Sequence, residues 1–487
     1  MFRTLGQIGS DEPLKFDLCI IGAGAAGITI ANELTDSNLD VCLLEAGGLN
    51  GGGAGQNLYQ GISEGYAPLI SSRLRFFGGT TNHWTGYCRL PTDEDLGARP
   101  WEPLSGWPLS MGELNPYLAR ARDAVEVSNE FHIEPWAARR NALTLGIDTR
   151  EIFEDVSLVG PPVRFREKYR SAIEASRSVT CLLNANVVEL MPSERGDRIQ
   201  SLRLKTPEGA ERSLTANTFV LACGGIENAR MLLVSDSKIP GGIGNRHDLV
   251  GRYFSDHALR DAGTAVLMRP TEQALLYEFG RLFEPRMKVH PQLRTTLAFA
   301  EQVRLPRVLI RLKPEPTSRP TRLMEKLTAF WDDAAQVPRT FRLQTFAEPL
   351  PLAENRLTLT DDRDALGMRR LKLVYKPSDL EIEASRAALK KLAAVLGANG
   401  KGRVQIDDAA LASPPADWGY HHYGTTRMHP DPKLGVVDKD CRVHGIANLF
   451  VAGSSVFPTP GLMTPTMTIV AMSLRLAAML KGESHGS

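Results

Sequence analysis

Short apolar runs of strand length alternate with helical patterns along both ends of the chain. Phe16 to Ile21 and Val41 to Leu44 are two such runs, with a glycine turn and a helical pattern between them. Similar runs lie at 178–190 and 218–222, and the run at 449–453 precedes a loop and a helical pattern that begins at Thr466. Strands alternating with helices are typical of a parallel sheet. The pattern therefore predicts an α/β fold with a Rossmann-like parallel sheet.

The pattern changes between about Asp256 and Tyr375, where apolar and polar residues alternate, as in RVLIRLK and NRLTLTD. Alternation with a period of two is typical of an antiparallel sheet with one solvated face. We therefore expect an α+β domain, built on an antiparallel sheet with helices, to interrupt the first one. The predicted first domain is discontinuous and comprises 1–95, 176–255 and 435–487, and the second comprises 96–175 and 256–434.

Composition excludes several classes of protein. The 487 residues are 43% hydrophobic and 23% charged, with a formal net charge of +1, which is ordinary for a globular protein. Six cysteines without a CxxC pair argue against a disulfide framework and a zinc site, and no metal is expected. No basic stripe with interleaved aromatic residues suggests nucleic-acid binding.

Targeting signals are also missing from the sequence as it stands. The first residues, MFRTLGQIGSDEPLKFD, have no apolar signal region. The most apolar later stretch, 462–480, contains Pro465 and Arg475 and is interpreted as a buried helix. We expect a cytoplasmic protein without a membrane partner.

One local charge excess remains open. Residues 281–345 carry 13 Lys or Arg against 6 Asp or Glu. The segment is either a solvated basic face or a surface for an anionic substrate, partner or membrane.

The first strand–turn–helix unit carries the clearest motif. Gly22, Gly24 and Gly27 have the spacing G-x-G-x-x-G directly after a predicted strand, and Glu45 ends the next strand. In this motif the glycines make a tight turn, admit a pyrophosphate and let helix and strand pack closely. The acidic residue suits ribose hydroxyls and argues against a 2′-phosphate. The unit predicts dinucleotide binding; the alternative is a glycine-rich turn in another kind of parallel sheet.

Five ordered blocks resemble the glucose–methanol–choline family of flavin-dependent alcohol oxidoreductases. They are GAGAAG…EAGG, GGTTNHW, ACGGIENARMLL, VGRYFSDH, and the C-terminal HHYGTTRM…VFPT…TPTMTI. The resemblance implies FAD rather than NAD as cofactor. It makes the discontinuous first domain FAD-binding and the interrupting domain substrate-binding.

The resemblance also implies where FAD lies. The adenosine would meet the glycine motif, Glu45 and Val187; Gly453 and Ser454 would border the pyrophosphate, and Gly79 and Thr80 the flavin ring. The full set of candidate cofactor-binding residues is Gly22, Gly24, Ala25, Ala26, Gly27, Glu45, Ala46, Gly78, Gly79, Thr80, Asn82, His83, Trp84, Thr85, Val187, Ala222, Gly224, Gly453, Ser454, Thr464, Pro465 and Thr466.

The NHW triplet is most similar to the pyranose-oxidase branch of the family and to related bacterial sugar dehydrogenases. The matching histidine of that branch can carry the flavin covalently. His83 is therefore a candidate attachment site, and the alternative is a histidine that hydrogen-bonds near the ring.

The chemistry of alcohol oxidation needs a base, because hydride can leave for flavin N5 only as the hydroxyl proton departs. Neutral histidine suits this role near pH 7. The family places it three residues before a Gly-Thr pair, which here is His421. The neighbouring His422 would point the other way in an extended segment and is expected to be structural or a supporting donor.

Thr464 departs from the family pattern. Many members have His or Asn one position before Pro-x-x-Thr, where this chain has Thr464. A hydroxyl can still hydrogen-bond a substrate oxygen, but it cannot act as a base. The glycine usual after Arg-Met is also replaced, by His429.

Three functions follow from these residues. The first is FAD-dependent oxidation of a hydroxyl of a sugar, glycoside or cyclic polyol to a carbonyl, with dioxygen or an electron carrier as reoxidant. The second is oxidation of an alcohol on a natural product or steroid by a tailoring enzyme. The third is a flavin-holding protein or lyase with weak redox turnover, suggested by Thr464.

Overall fold

The computed structural model describes residues 1–9, 11–52, 54–127, 145, 147, 149–268, 282–284, 287–315, 339–462 and 464–482. The strands among them are β1 (Phe2–Thr4), β2 (Leu14–Ile21), β3 (Val41–Leu44), β4 (Ile62–Glu64), β5 (Tyr87–Cys88), β6 (Ile152–Val159), β7 (Val179–Leu183), β8 (Asn186–Pro192), β9 (Ile199–Lys205), β10 (Glu211–Leu221), β11 (Ala258–Leu267), β12 (Leu282–Glu284), β13 (Met287–Thr295), β14 (Val308–Pro314), β15 (Arg339–Ala347), β16 (Arg356–Arg363), β17 (Arg369–Val374), β18 (Gly402–Ile406), β19 (Asp417–Trp418) and β20 (Leu449–Val451). The α-helices among them are α1 (Ala25–Glu33), α2 (Asp93–Leu96), α3 (Met111–Ala124), α4 (Phe165–Ala175), α5 (Gly224–Val234), α6 (Leu297–Val303), α7 (Asp379–Ala398), α8 (Asp408–Ala412) and α9 (Pro465–Leu480).

The first sheet is mostly parallel and has the order β1-β7-β3-β2-β10-β9-β8, with β20 also paired to β10. Strands β2, β3, β10 and β20 run parallel, and Ile21, Leu44, Leu221 and Val451 lie level at their carboxyl ends. The loops that follow these strands therefore leave from one edge of the sheet. In open α/β sheets this edge is where ligands bind.

The second sheet is antiparallel in all its described pairings, with the order β18-β11-β15-β14-β13-β6-β5. One face packs against α7 through an apolar cluster that includes Ile310, Phe341 and Leu389. The predicted fold class, a Rossmann-like sheet interrupted by an antiparallel one, is confirmed. The domain boundaries themselves stay a prediction.

The prediction of one antiparallel sheet through Tyr375 is wrong for β16 and β17. This hairpin forms a separate sheet with β4, to which β17 pairs in parallel. Leu357, Leu371 and Leu373 of the hairpin belong to the apolar cluster of the first sheet. Alternation shows that a strand has one buried face, but it does not tell which core covers that face.

Two further predictions can be checked only for the described residues. Much of the basic segment 281–345 lies outside the described residues, so its role stays open. Within the described part of the chain, no helix has the length and apolarity needed to cross a bilayer.

Candidate functional site

A cavity of about 550 Å³ opens at the carboxyl edge of the first sheet. It extends from the loops after β2 and β3 to the segment 419–422 and the start of α9. Its size falls within the usual range of ligand and cofactor sites.

The glycine turn brings backbone close to the cavity. Gly22 has a φ of +106°, which favours glycine. A Cβ on Gly27 would lie 1.9 Å from the carbonyl oxygen of Gly22, whereas a Cβ on Gly24 would meet nothing within 4 Å. Gly27 therefore permits the contact of α1 with β2, while the space beside Gly24 remains open.

A second glycine pair lies against this turn. The amide of Gly78 donates to the carbonyl of Ala23 at 2.8 Å. A Cβ on Gly79, at a φ of +50°, would lie 3.1 Å from the Cα of Gly24. The two loops therefore form one wall of the cavity only because glycines occupy the contact.

Three helices begin at the cavity without a side-chain cap. Their N-cap residues are Gly24 for α1, Cys223 for α5 and Thr464 for α9, and none accepts a capping hydrogen bond on its side chain. Free N–H groups and the positive end of the helix dipole favour an anion. The cavity is thus electrostatically suited to a pyrophosphate.

Glu45 is held at the end of β3 by backbone donors. Its Oε2 accepts from the amide of Ala23 at 3.1 Å and its Oε1 from the amide of Gly47 at 2.8 Å. Burial raises the pKa of Glu45, although these hydrogen bonds and Arg75 oppose the shift. Each oxygen keeps a lone pair with which it can accept from a ribose hydroxyl.

Two arginines also line the cavity. Arg73 Nη1 lies 2.6 Å from Oε1 of Glu227, and the pair is buried. Arg75 Nη2 donates to Oδ1 of Asn186 at 2.8 Å, and the Nε of Arg75 is buried without a hydrogen-bond partner among the described residues. A buried donor of this kind is normally hydrogen-bonded, and a bound group can supply the partner.

His421 lines the cavity and lies in a network with Asp256 and His257. Its Nδ1 is 3.0 Å from Nδ1 of His257, whose Nε2 is 2.8 Å from the carbonyl oxygen of Gly461. Asp256 accepts the backbone amide of His421 at 2.8 Å. Burial lowers the pKa of His421 well below its usual value, and His257 and His422 add to the effect. The imidazole is therefore neutral near pH 7.

His422 also lines the cavity, but its ring has other neighbours. It contacts the rings of Tyr66 and Phe254, and its carbonyl accepts from the hydroxyl of Ser454 at 2.7 Å. Burial lowers its pKa to about 3. The Nε2 of His422 is buried without a partner among the described residues.

Thr464, Trp84 and His83 also line the cavity. The hydroxyl of Thr464 is buried with no hydrogen-bond partner in the described part of the chain. Trp84 donates its indole N–H to the carbonyl of Val163 at 2.8 Å. His83 lines the cavity, and partial burial together with Arg164 lowers its pKa.

The structure brings most of the predicted site residues together. All of them line the cavity except Gly27, Gly78 and Asn82, which lie behind its wall. Gly27 packs on Gly22, and Asn82 donates its amide to the carbonyls of Phe77 and Gly79 at 3.0 and 2.9 Å.

Several lining residues were not predicted from the sequence. They include Tyr59, Arg73, Arg75, Tyr87, Gly225, Glu227, Met231, Met368, Tyr420 and Ile469. Arg73 and Arg75 stand five and three positions before Gly78, and this proximity to the glycine pair was the one available signal. Asp256 and His257 lie in the VGRYFSDH block, but nothing in that block alone gives them a role.

These features fit FAD. Uncapped helix starts suit its pyrophosphate and Glu45 suits its ribose. Arg75, His422 and Thr464 line the cavity, and each has a buried polar atom without a hydrogen-bond partner among the described residues. Buried polar atoms are normally hydrogen-bonded, and a bound group can supply such partners.

Two family profiles match the chain. Residues 17–242 match the profile described as FAD dependent oxidoreductase, and residues 351–473 match that described as GMC oxidoreductase. The large subunit of fructose dehydrogenase from Gluconobacter japonicus is 25% identical, over 96% of this chain and 98% of the relative. Paromamine 6'-oxidase from Streptomyces fradiae is 24% identical, over 97% of this chain and 92% of the relative.

Solved structures give the same fold. Pyridoxine 4-oxidase from Mesorbium loti superimposes with a TM-score of 0.60 at 18% identity, over 96% of this chain and 100% of that structure. The profiles, the full-length relatives and the fold agree with the cavity geometry. The chain is therefore an FAD-dependent oxidoreductase, and its residues 351–473 are similar to the GMC oxidoreductases.

Proposed function

We propose that the protein oxidises a hydroxyl group of a sugar, glycoside or cyclic polyol to a carbonyl, with His421 as the base. The observation that carries this proposal is the neutral imidazole of His421 at the cavity wall, with Nδ1 already engaged by His257. Fructose and paromamine, which the names of two full-length relatives give as substrates, support the substrate class.

His421 and the residues around the cofactor have different roles. When bound, FAD supplies the acceptor for the two electrons and the hydrogen that leave carbon as hydride. His421 Nε2 takes the hydroxyl proton, because Nδ1 is occupied by its contact with His257. Glu45, the glycine turns and the starts of α1 and α5 would hold the adenosine and the pyrophosphate.

Thr464 lies where it can contact the substrate or the flavin. Its hydroxyl is buried and free of protein partners among the described residues, so one hydrogen bond is available to a ligand oxygen. Thr464→Asn tests whether the threonine is a handicap or an adaptation. A faster reaction would show a handicap, and a collapse would show that Thr464 suits the true substrate.

The function is tested by anaerobic mixing of the FAD-loaded protein with D-glucose, D-fructose, myo-inositol and paromamine while the flavin absorbance is followed. Bleaching by a sugar or polyol supports the proposal. No bleaching by any of them counts against it, and a protein that stays colourless in excess FAD would overturn it.

The second candidate is a tailoring oxidase that acts on a hydroxyl of a natural product. The similarity to paromamine 6'-oxidase over nearly the whole chain favours this alternative. Bleaching by paromamine but not by simple sugars would select it. A weakly active flavin-holding protein or lyase would bind FAD and show no bleaching by any alcohol.

Two properties of the reaction need their own measurements. Peroxide formed in air-saturated turnover separates dioxygen from an electron carrier as the reoxidant. Attachment of FAD at His83 is tested by acid precipitation: colour in the pellet, lost in His83→Ala, supports a covalent link. Colour in the supernatant of the wild type leaves His83 as a hydrogen-bonding neighbour.

A further inference from the structure

The geometry determines which nitrogen donates the hydrogen bond between His257 and His421. The Nε2 of His257 lies 2.8 Å from the carbonyl oxygen of Gly461. A carbonyl oxygen can only accept, so this nitrogen must carry the hydrogen. Burial lowers the pKa of His257 to about 4, so the ring is neutral near pH 7. Its Nδ1 then has a lone pair and no hydrogen.

The two Nδ1 atoms lie 3.0 Å apart, which is the distance of a hydrogen bond. Since the Nδ1 of His257 can only accept, the Nδ1 of His421 must donate. A neutral imidazole carries one ring hydrogen, so the Nε2 of His421 is left with its lone pair. Only this tautomer of His421 can remove a proton through Nε2.

We propose that His257 is a positioning residue that fixes His421 in the tautomer with hydrogen on Nδ1 and the lone pair on Nε2. This inference rests on the proposed function, because it assumes that His421 is the base. The chain Gly461–His257–His421 then performs the orienting task that a carboxylate performs for the histidine of a hydrolase triad.

Asp256 fixes the backbone of both histidines. Its Oδ1 accepts from the amide of His257 at 2.7 Å and from the amide of His421 at 2.8 Å. Asp256 and His257 are buried, with exposed fractions of 0% and 2%. The carboxylate of Asp256 therefore fixes the backbones of the two histidines, and the contact between their rings fixes the imidazoles.

A metal ion is the alternative explanation, because ligand atoms of Asp256, His257 and His421 lie within 4.8 Å of one another. Two geometric observations favour the hydrogen bond. Each oxygen of Asp256 already accepts two donors. Two imidazole nitrogens on a tetrahedral zinc ion, with bonds of about 2.0–2.1 Å, would be about 3.3–3.4 Å apart. The observed 3.0 Å suits N–H···N.

The test compares two variants of His257 in the FAD-loaded protein. In His257→Asn the amide oxygen can still accept from His421, whereas His257→Phe fills similar space without an acceptor. The readout is the limiting rate of anaerobic flavin reduction by whichever alcohol of the panel above bleaches the wild type fastest. FAD content and thermal midpoint are checked for each variant.

We expect His257→Phe to slow flavin reduction at least about tenfold, with the substrate dissociation constant changed by less than about threefold. His257→Asn should stay within about fivefold of the wild-type rate. Equal rates for the Phe variant and the wild type would overturn the inference. So would equal losses in both variants, since these indicate packing alone.

A measurement without substrate guards against variants that fold poorly. In the wild-type protein labelled with ¹⁵N-histidine, the ring signals of His421, assigned by comparison with His421→Ala, should show hydrogen on Nδ1. Hydrogen on Nε2, or a stoichiometric metal ion in the purified protein, would overturn the inference.

The outcome also separates this inference from the proposed function. If His421→Ala still reduces flavin at the wild-type rate, the proposed function fails. If His421→Ala abolishes reduction and His257→Phe does not, only the role of His257 fails.

Discussion

The hydroxyl of Tyr66 lies 2.6 Å from Oδ2 of Asp256 and donates to it. The same oxygen accepts the amide of Tyr420 at 2.8 Å, and Tyr420 has a φ of +56°. A non-glycine residue in this region needs such support. Burial raises the pKa of Tyr66 well above its usual value, which keeps the hydroxyl protonated. Tyr66 and Asp256 together thus hold the segment that carries His421.

Tyr66→Phe tests this relationship. Loss of one buried hydrogen bond should lower stability by about 1 kcal/mol. It should also slow flavin reduction by about two- to tenfold, because the 420–421 backbone is less firmly held. Thermal unfolding and anaerobic reduction measure the two effects. Tyr169→Phe is the control, because it removes a hydroxyl that donates to Ala124 away from the cavity. Equal effects in both variants would contradict the account.

Glu45→Gln should weaken FAD binding by about tenfold. The two carboxylate oxygens of Glu45 accept from the amides of Ala23 and Gly47, and in the variant the side-chain NH₂ group would face one of these N–H donors. The measurement is titration of the apoprotein with FAD. Glu33→Gln is the control; it lies at the end of α1 and pairs with Arg120 outside this cavity. Unchanged affinity in Glu45→Gln would exclude a role for Glu45 in holding the cofactor.

Gly24→Ala and Gly27→Ala should fail in different ways. The new Cβ of Gly27→Ala would lie 1.9 Å from a backbone oxygen, so the apoprotein itself should lose at least about 1–3 kcal/mol. Gly24→Ala has open space and should leave apoprotein stability nearly unchanged, yet weaken FAD binding. Thermal unfolding with and without FAD separates the two. A Gly24→Ala protein with wild-type FAD affinity would show that no cofactor group approaches Gly24.

The buried imidazole of His422 should make the protein less stable in acid. Its folded pKa of about 3 lies below the unfolded value of 6.5. Below pH 6.5 the unfolded chain therefore binds a proton that the folded chain does not, and stability falls by up to about 1.4 kcal/mol per pH unit until pH about 3. His257, with a folded pKa of about 4, acts in the same direction.

Asp256 acts in the opposite direction. Burial raises its pKa to about 7, so its contribution to stability is present at low pH and is lost as the pH rises through 7. The check on His422 is therefore a difference: thermal midpoints of the wild type and of His422→Gln from pH 7.5 to 5. The variant should lose less stability on acidification, and parallel curves would contradict a neutral, buried His422.

The local motifs of the site could be predicted from the sequence because each depends on short-range geometry. Gly22, Gly24 and Glu45 belong to one strand–turn–helix–strand unit, whose register places them at one sheet edge. Arg75 and His257 could not be assigned in this way. Their roles depend on partners more than 100 residues away, Asn186 and His421. The prediction for the hairpin of β16 and β17 was wrong for the same reason, because alternation does not tell which core covers the buried face of a strand.

The surroundings of His421 and His422 also show what the sequence alone could not predict. Adjacent residues in an extended segment were expected to point in opposite directions, and their rings do contact different neighbours. Both nevertheless line one cavity. Only tertiary structure could show this.

We propose that the imidazole of His421 takes the alcohol proton when the FAD-loaded protein oxidises its substrate. It is tested most directly by rapid anaerobic mixing of FAD-loaded His421→Ala with an alcohol that bleaches the wild-type flavin. The variant should bind FAD but reduce it about 10²–10⁴-fold more slowly. Reduction at the wild-type rate would contradict the proposal.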